Sequence, residues 1–281
     1  MDDREEIRAL LERFSPATIH FTSGEGDAQK MARAAAEDHC ELVLAAGGDG
    51  TFNEVINGIA DYADRLQVGL LPLGTGNDFA RMLSLPDKTE DCIETLRAGR
   101  TRAIDLVRVT SDQVRYFANV SAGGFSGTVD EKLTPEIKQA WGPLAYLRSA
   151  AEALPELRAY AAEVIFDDAE RLQLDLYNAV IANGRYVAGG TLIAPEAEID
   201  DGQLDIILIP KNSAPALALL MAQIALGTHL GSESIVFRRA SKMSVKSQPG
   251  MWFNVDGELV GNEPAVFEVL PRALQVLVGA K

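Results

Sequence analysis

The sequence predicts an α/β domain followed by an all-β domain, and three observations carry that expectation. Up to about residue 105, short apolar runs alternate with helical periodicities. Two of those runs end in glycine turns: Leu-Val-Leu-Ala-Ala-Gly-Gly-Asp-Gly-Thr over residues 42–51, and Leu-Leu-Pro-Leu-Gly-Thr-Gly-Asn-Asp-Phe over 70–79. From about residue 104 the texture changes to many short alternating runs.

The first part reads as a helix over 4–14, a short strand over 19–21, a helix over 27–38 and a strand over 42–46. Phe52, Val55, Ile56 and Ile59 recur at helical spacing, so a helix follows Thr51. A strand over 68–71 and helices over 78–83 and 90–98 complete it. Alternating βα units of this length imply a parallel sheet with helices on both faces. Ligands on such sheets lie beyond the carboxyl ends of strands, where both glycine turns fall. The second part reads as strands over 103–109, 115–120, 162–166, 172–177, 179–182, 204–209, 234–237, 242–245, 251–255 and 265–270. Short strands in this number suggest a β-sandwich or a barrel-like domain. A helical insertion over 135–157 and a helix over 214–226 interrupt it. The expected domains are 1–105 and 106–271, with a final run over 272–281 free to return to the first.

Composition narrows the function. Lys+Arg 26 against Asp+Glu 41 leaves a net charge of -15 over 281 residues. That argues against nucleic acid, which demands a basic face, and against adhesion to anionic lipid through charge alone. Cys40 and Cys92 are too few and too unpatterned for a disulfide framework or a metal knuckle, and a reducing cytoplasm is the expected compartment. The acidic start, Met-Asp-Asp-Arg-Glu-Glu, does not resemble a signal peptide. The longest apolar stretch, 214–226, is too short to span a bilayer and reads as a buried or partner-facing helix.

The chemistry lies at the glycines. A glycine backbone passes close to an anion, successive N–H groups point at it, and the next helix adds its positive end. Either motif alone is equally a tight αβ connection. The pair, with hydroxyl, carboxylate and carboxamide groups beside the glycines, points to a phosphate site. His20, His39 and His229 are scattered without ligand spacing. There is no Gly-x-Ser-x-Gly elbow, no third glycine of a dinucleotide fingerprint, and no Gly-x4-Gly-Lys-Ser/Thr loop. Carboxylates near glycines remain, the equipment of metal-assisted phosphoryl transfer. Asp256-Gly257-Glu258 is by itself a hairpin turn or an acidic site. Residues 200–205, Asp-Asp-Gly-Gln-Leu-Asp, are a turn or a loop for a hard cation.

The blocks Gly-Gly-Asp-Gly-Thr-Phe-Asn-Glu (47–54) and Leu-Pro-Leu-Gly-Thr-Gly-Asn-Asp-Phe-Ala-Arg (71–81) closely resemble signatures of the diacylglycerol kinase catalytic domain. The likeness, more specifically to soluble bacterial lipid kinases of the YegS-like group, continues through Asn183-Gly184-Arg185-Tyr186, Gly189-Gly190, 194–205 and Asn254-Val255-Asp256-Gly257-Glu258. The resemblance implies a phosphofructokinase-like parallel α/β domain and a C-terminal β-sandwich, with ATP and substrate meeting in a cleft. It places the nucleotide on Thr22 (in Thr-x4-Asp-Ala), Gly48, Asp49, Gly50, Thr51, Phe52, Asn53, Glu54 and Thr75. It places Mg2+ on Asp201 with the carbonyls of Glu198 and Gln203, and general-base work on Glu258 with Asp256 beside it.

The implied activity is ATP-dependent phosphorylation of diacylglycerol or a related membrane lipid, with peripheral, transient membrane contact and no nucleic-acid partner. A kinase for a soluble acceptor such as NAD, or a weakly active lipid- or nucleotide-binding protein, are the alternatives. Asp49 is expected to organise phosphates and Mg2+ rather than merely to shape a turn. Members of the family begin with a strand and an Asn-Pro-like turn, whereas this chain begins in the helix that follows. An in-frame apolar strand encoded ahead of Met1 is therefore expected.

Overall fold

The computed structural model describes residues 8, 9, 11, 12, 18–124, 157–255, 258–261 and 264–280. Most of the helix expected over 4–14, nearly all of the insertion expected over 135–157, and Asp256 lie outside the described residues. The chain divides into two compact units, Met1–Ile104 with Ala273–Lys281, and Asp105–Arg272.

In the first unit, β1 (Leu42–Gly47) runs parallel to β2 (Gln67–Pro72), in register from Leu42 opposite Gln67 to Gly47 opposite Pro72. The end of β15 (Ala265–Leu277) lies parallel to β2 on its other edge, with Val276 opposite Val68. Val68 to Leu71 are buried, as a central strand of a covered parallel sheet requires. Around the sheet stand α1 (Asp27–Glu37), α2 (Asp49–Ile59), α3 (Asp78–Met82) and α4 (Thr89–Arg97). Phe52, Val55, Ile56 and Ile59 form the buried stripe of α2 that their spacing predicts. Gly58 lets α1 approach, since a Cβ there would come within 2.4 Å of the Gln29 carbonyl oxygen.

Two local expectations change. Residues 19–21 do not form a strand. Among the described residues β1 pairs only with β2, and an apolar run without a ladder partner is not a strand. Helix α2 begins at Asp49, ahead of the expected Thr51, because Gly48 is extended and its carbonyl already accepts the Phe52 N–H at 3.1 Å.

The second unit is a β-sandwich built from the continuation of β3 (Thr101–Thr110), β4 (Val114–Phe117), β5 (Val120–Gly124), β6 (Tyr160–Phe166) and β7 (Glu170–Ala182). It continues with β8 (Tyr186–Val187), β9 (Thr191–Leu192), β10 (Leu204–Pro210), α5 (Ala214–Ala225), β11 (Val236–Ala240), β12 (Lys242–Gln248), β13 (Trp252–Val255), β14 (Glu258–Gly261) and the first part of β15. The two runs expected over 172–182 are one strand, β7. Its first half pairs with β6 and its second half with β5 and β10. The run expected over 115–120 is two strands. Between them the Asn119 carbonyl accepts the N–H groups of Asn183 and Gly184, both at 2.8 Å, so the chain leaves β3 and turns onto β7. Strand faces close on a main core in which Phe267 meets Phe253 at 5.0 Å and Phe117 at 6.4 Å, both edge-on, and a smaller cluster gathers around Val120, Val180 and Ile207. Among the described residues no helix is long and apolar enough to cross a membrane.

Candidate active site

The two glycine motifs, found separately in the sequence, are one structure in the first unit. The Leu73 N–H donates to the Gly47 carbonyl at 3.0 Å, which brings the end of β2 against the end of β1. The turns then touch through bare backbone: a Cβ on Gly74 would lie 2.5 Å from the Gly48 Cα. Asn77 sits in the left-handed region at φ 50 and closes the second turn on itself. Its Oδ1 accepts the Gly74 N–H at 3.0 Å and its amide donates to the Gly74 carbonyl at 2.8 Å. Asp49 bridges the two motifs. One carboxylate oxygen accepts the Asp78 N–H at 3.1 Å and the other the Phe79 N–H at 2.9 Å, satisfying the first donors of α3 from the opposite turn. Behind it Phe52 stacks on Phe79 at 5.0 Å.

A third segment joins the same unit. The Glu54 carboxylate accepts the Ala28 N–H at 3.0 Å, tying the Thr22-to-Ala28 motif to α2. Within that motif Asp27 accepts from the Ser23 hydroxyl and N–H, which lowers its carboxyl below the usual range. Gly48, Asp49, Gly50, Thr51 and Thr75 thus stand on two joined turns, with Gly50 and Thr75 exposed. Thr22 is exposed just ahead of α1. Phe52 and Asn53 are buried, and the Asn53 side chain accepts from the Asn57 amide at 2.9 Å. Asp78, also buried and paired with Arg81 at 3.0 Å, stands at the same junction and was not singled out by sequence reasoning.

In the second unit the acidic loop is held from three sides. Arg185 donates to the Ala197 carbonyl and to the Glu198 carboxylate, at 2.7 and 2.6 Å. Arg239 donates to the Glu196 carbonyl and to Asp205, both at 2.7 Å. The fully buried Asp105 accepts the N–H of Gly202 and that of Arg272, both at 2.7 Å. Asp201 is exposed and accepts the Gln203 N–H at 3.0 Å, which shapes the bend. Burial raises the carboxyls of Asp105 and Asp205 above the usual range, against the lowering effect of their donors. One Asp205 carboxylate oxygen is buried without a partner. Asp105 was not singled out from sequence, and Asp205 entered only as the last acid of the 200–205 motif. Their one local signal is an acid inside an otherwise apolar strand, as in Ala-Ile-Asp-Leu-Val over 103–107. Among the described residues no group of three His, Cys, Asp or Glu side chains is placed to hold a metal.

Glu258 opens β14 and its backbone pairs with Val255 across the β13–β14 hairpin, while its side chain lies outside the described residues. Strand β13 is itself fixed against β5, with the Ser121 hydroxyl donating to the Asn254 carbonyl at 3.0 Å.

Residues 2–109 match the diacylglycerol kinase catalytic domain, and residues 118–278 match the YegS C-terminal NAD kinase beta sandwich-like domain. The chain belongs to the diacylglycerol kinase family, a family of phosphotransferases. It is 32% identical over 272 residues to a diacylglycerol kinase of Staphylococcus haemolyticus, covering 96% of this chain and 81% of that protein. It is 31% identical over 282 residues to a diacylglycerol kinase of Bacillus subtilis, covering 98% and 91%. The fold matches the crystal structure of a Bacillus anthracis diacylglycerol kinase with a TM-score of 0.79 at 22% identity, over 96% of this chain and 88% of that one. It also matches an Archaeoglobus fulgidus NAD kinase, solved in complex with ATP, with a TM-score of 0.56 at 12% identity, over 100% and 91%.

Proposed function

We propose that the protein transfers the γ-phosphoryl group of ATP to a hydroxyl of diacylglycerol or a related membrane lipid. The observation that carries this reading is the junction of the two glycine turns. Asp49 clamps backbone N–H groups of one turn from the other, Gly48 and Gly74 let the two turns close on each other, and Gly50, with open space around its Cβ position, leaves the main chain bare for an anion. The nucleotide takes Thr22, the stretch from Gly48 to Glu54, and Thr75. The acceptor oxygen bonds to the γ-phosphorus, the bond to the ADP oxygen breaks, and the hydroxyl proton passes to Glu258, with Asp256 beside it.

The loop at 198–203 suits a hard cation, because its donors are all oxygen: the Asp201 carboxylate and the carbonyls of Glu198 and Gln203. Mg2+ held there would supply positive charge and fix the loop. The enzyme works in the cytoplasm and touches the membrane transiently.

Labelled ATP is offered with diacylglycerol in mixed micelles and, separately, with NAD. Labelled phosphatidic acid is the expected product. Labelled NADP in its place would establish the soluble-acceptor reading, and nucleotide or lipid binding without turnover would establish a binding protein.

A further inference from the structure

Helix α5 is apolar on every side but for Gln223, yet only one side is covered. Its inner face carries Leu217 and Leu220, both buried, and Ile224, which packs against the apolar cluster around Val120, Val180 and Ile207. Its outer face carries Pro215, Ala218, Leu219, Ala222 and Leu226 at helical spacing, all exposed, with Leu219 61% and Leu226 77% accessible. A helix that is hydrophobic all round is ordinarily buried on both sides. The surrounding chain is as unusual as the helix. From residue 212 to residue 232 there is no Asp, Glu, Lys or Arg, in a protein whose composition is 24% charged.

We propose that this outer face is a docking surface for a lipid bilayer, with Leu219 and Leu226 entering the boundary between headgroups and acyl chains. This deepens the lipid-kinase reading and rests on it for the choice of partner. Two properties separate a bilayer from a second copy of the chain. The first is size. Twelve helical residues present a strip about 18 Å long and about 10 Å wide, on the order of 200 Å2, whereas a stable protein interface covers about 800 Å2 on each partner. A few exposed leucines on a rigid support are enough for reversible attachment to a membrane.

The second is charge. At a net -15 long-range charge draws neither a second copy nor an anionic membrane toward the protein. Attachment therefore falls to a segment that brings no charge to desolvate. Helix α5 has 12 residues, and a helix of that length reaches about 18 Å against a hydrocarbon core of about 30 Å, so it lies along the surface rather than across it.

The full chain is floated with vesicles of phosphatidylcholine, with and without phosphatidylglycerol, alongside Leu219→Glu/Leu226→Glu and a control, Val114→Glu, at an exposed valine on β4. Wild type and control are expected to float with phosphatidylcholine vesicles, and the double variant to lose at least tenfold in the floating fraction. Its thermal midpoint should stay unchanged, as should its kcat on a short-chain diacylglycerol in solution. Only KM for vesicle-borne diacylglycerol should rise. Leu219→Trp keeps the face apolar and reports independently: its emission should be quenched by vesicles with brominated acyl chains.

Equal flotation of wild type and double variant, or no quenching of the introduced tryptophan, would overturn the docking surface. So would a wild-type dimer that the double variant dissociates while vesicle binding persists. Flotation needs no turnover. Vesicle binding through this face without lipid phosphorylation would sustain the docking surface and defeat the lipid-kinase reading instead.

Discussion

The backbone N–H of Arg272 donates to the buried carboxylate of Asp105 at 2.7 Å, and these are the two residues at which the chain passes between its units. Asp105 is the first residue of the second unit on β3, and Arg272 the last on β15, where φ is 52. The other oxygen of the same carboxylate takes the Gly202 N–H of the acidic loop. One side chain therefore fixes both crossover points and the loop. Asp105→Asn keeps a single acceptor oxygen and turns an amide toward the second donor, at a cost of about 1–3 kcal/mol. Asp105→Ala leaves both donors unpaired and should cost more. Urea unfolding checks the order wild type, Asn, Ala; equal midpoints would show that the carboxylate holds neither strand.

Asp49 makes a comparable pair of bonds in the first unit, which changes what its substitution should do. With the charge serving phosphate and Mg2+ alone, Asp49→Asn would spare stability. Because both oxygens also hold N–H groups of α3, the substitution should cost about 1–3 kcal/mol as well as activity. A thermal midpoint equal to wild type would show that α3 does not depend on this clamp.

Two glycines in the same turns separate folding from ligand approach. Gly74→Ala drives a Cβ to 2.5 Å from the Gly48 backbone, and with nothing flexible to yield it should cost about 1–3 kcal/mol and abolish ATP binding. Gly50 has open space around its Cβ position. Gly50→Ala sits in the first turn of α2, so stability should hold or rise by about 0.5–1 kcal/mol. Its ATP affinity should nevertheless fall, because the methyl would occupy the path of the phosphate in the proposed nucleotide site. Calorimetric titration with an ATP analogue reads both, and unchanged affinity in Gly50→Ala would remove Gly50 from the nucleotide site.

His229 carries a pH dependence of known sign. It is fully buried, its Nε2 bonds the Ile193 carbonyl at 2.7 Å, and its Nδ1 has no partner. Burial lowers its pKa below the ordinary 6.5. Below about pH 6.5 the unfolded chain gains a proton that the folded one refuses, so the unfolded state is favoured. The stabilisation is complete above that pH and is lost as pH falls toward the folded pKa. His229→Gln retains a donor for Ile193 and should flatten the profile between pH 7 and about pH 5. A variant profile parallel to wild type would place the titration elsewhere.

Glu258→Gln tests the proposed base. Removing a proton acceptor should lower kcat by about 100-fold or more with ATP binding nearly unchanged, since the group acts on the chemical step. A loss of ATP affinity as the main effect would make Glu258 a binding residue.

The sequence by itself determined what depends on near neighbours. The stripe Phe52, Val55, Ile56, Ile59 is a helix face because its spacing is helical, and both glycine turns follow apolar strands because glycine ends a strand wherever the chain must bend sharply. Family membership was legible for the same reason: its signatures are short contiguous blocks. Tertiary structure decided what depends on distant partners. Asp49 reaches an N–H 29 residues away, and Asp105 reaches donors 97 and 167 residues away. No local pattern records such distances, so the clamp and the crossover bond appear only in the folded chain. The run 19–21 has strand composition but no ladder, and helix α5 has core composition but an open face. Composition gives the tendency to be buried, and only packing decides which surfaces find a partner.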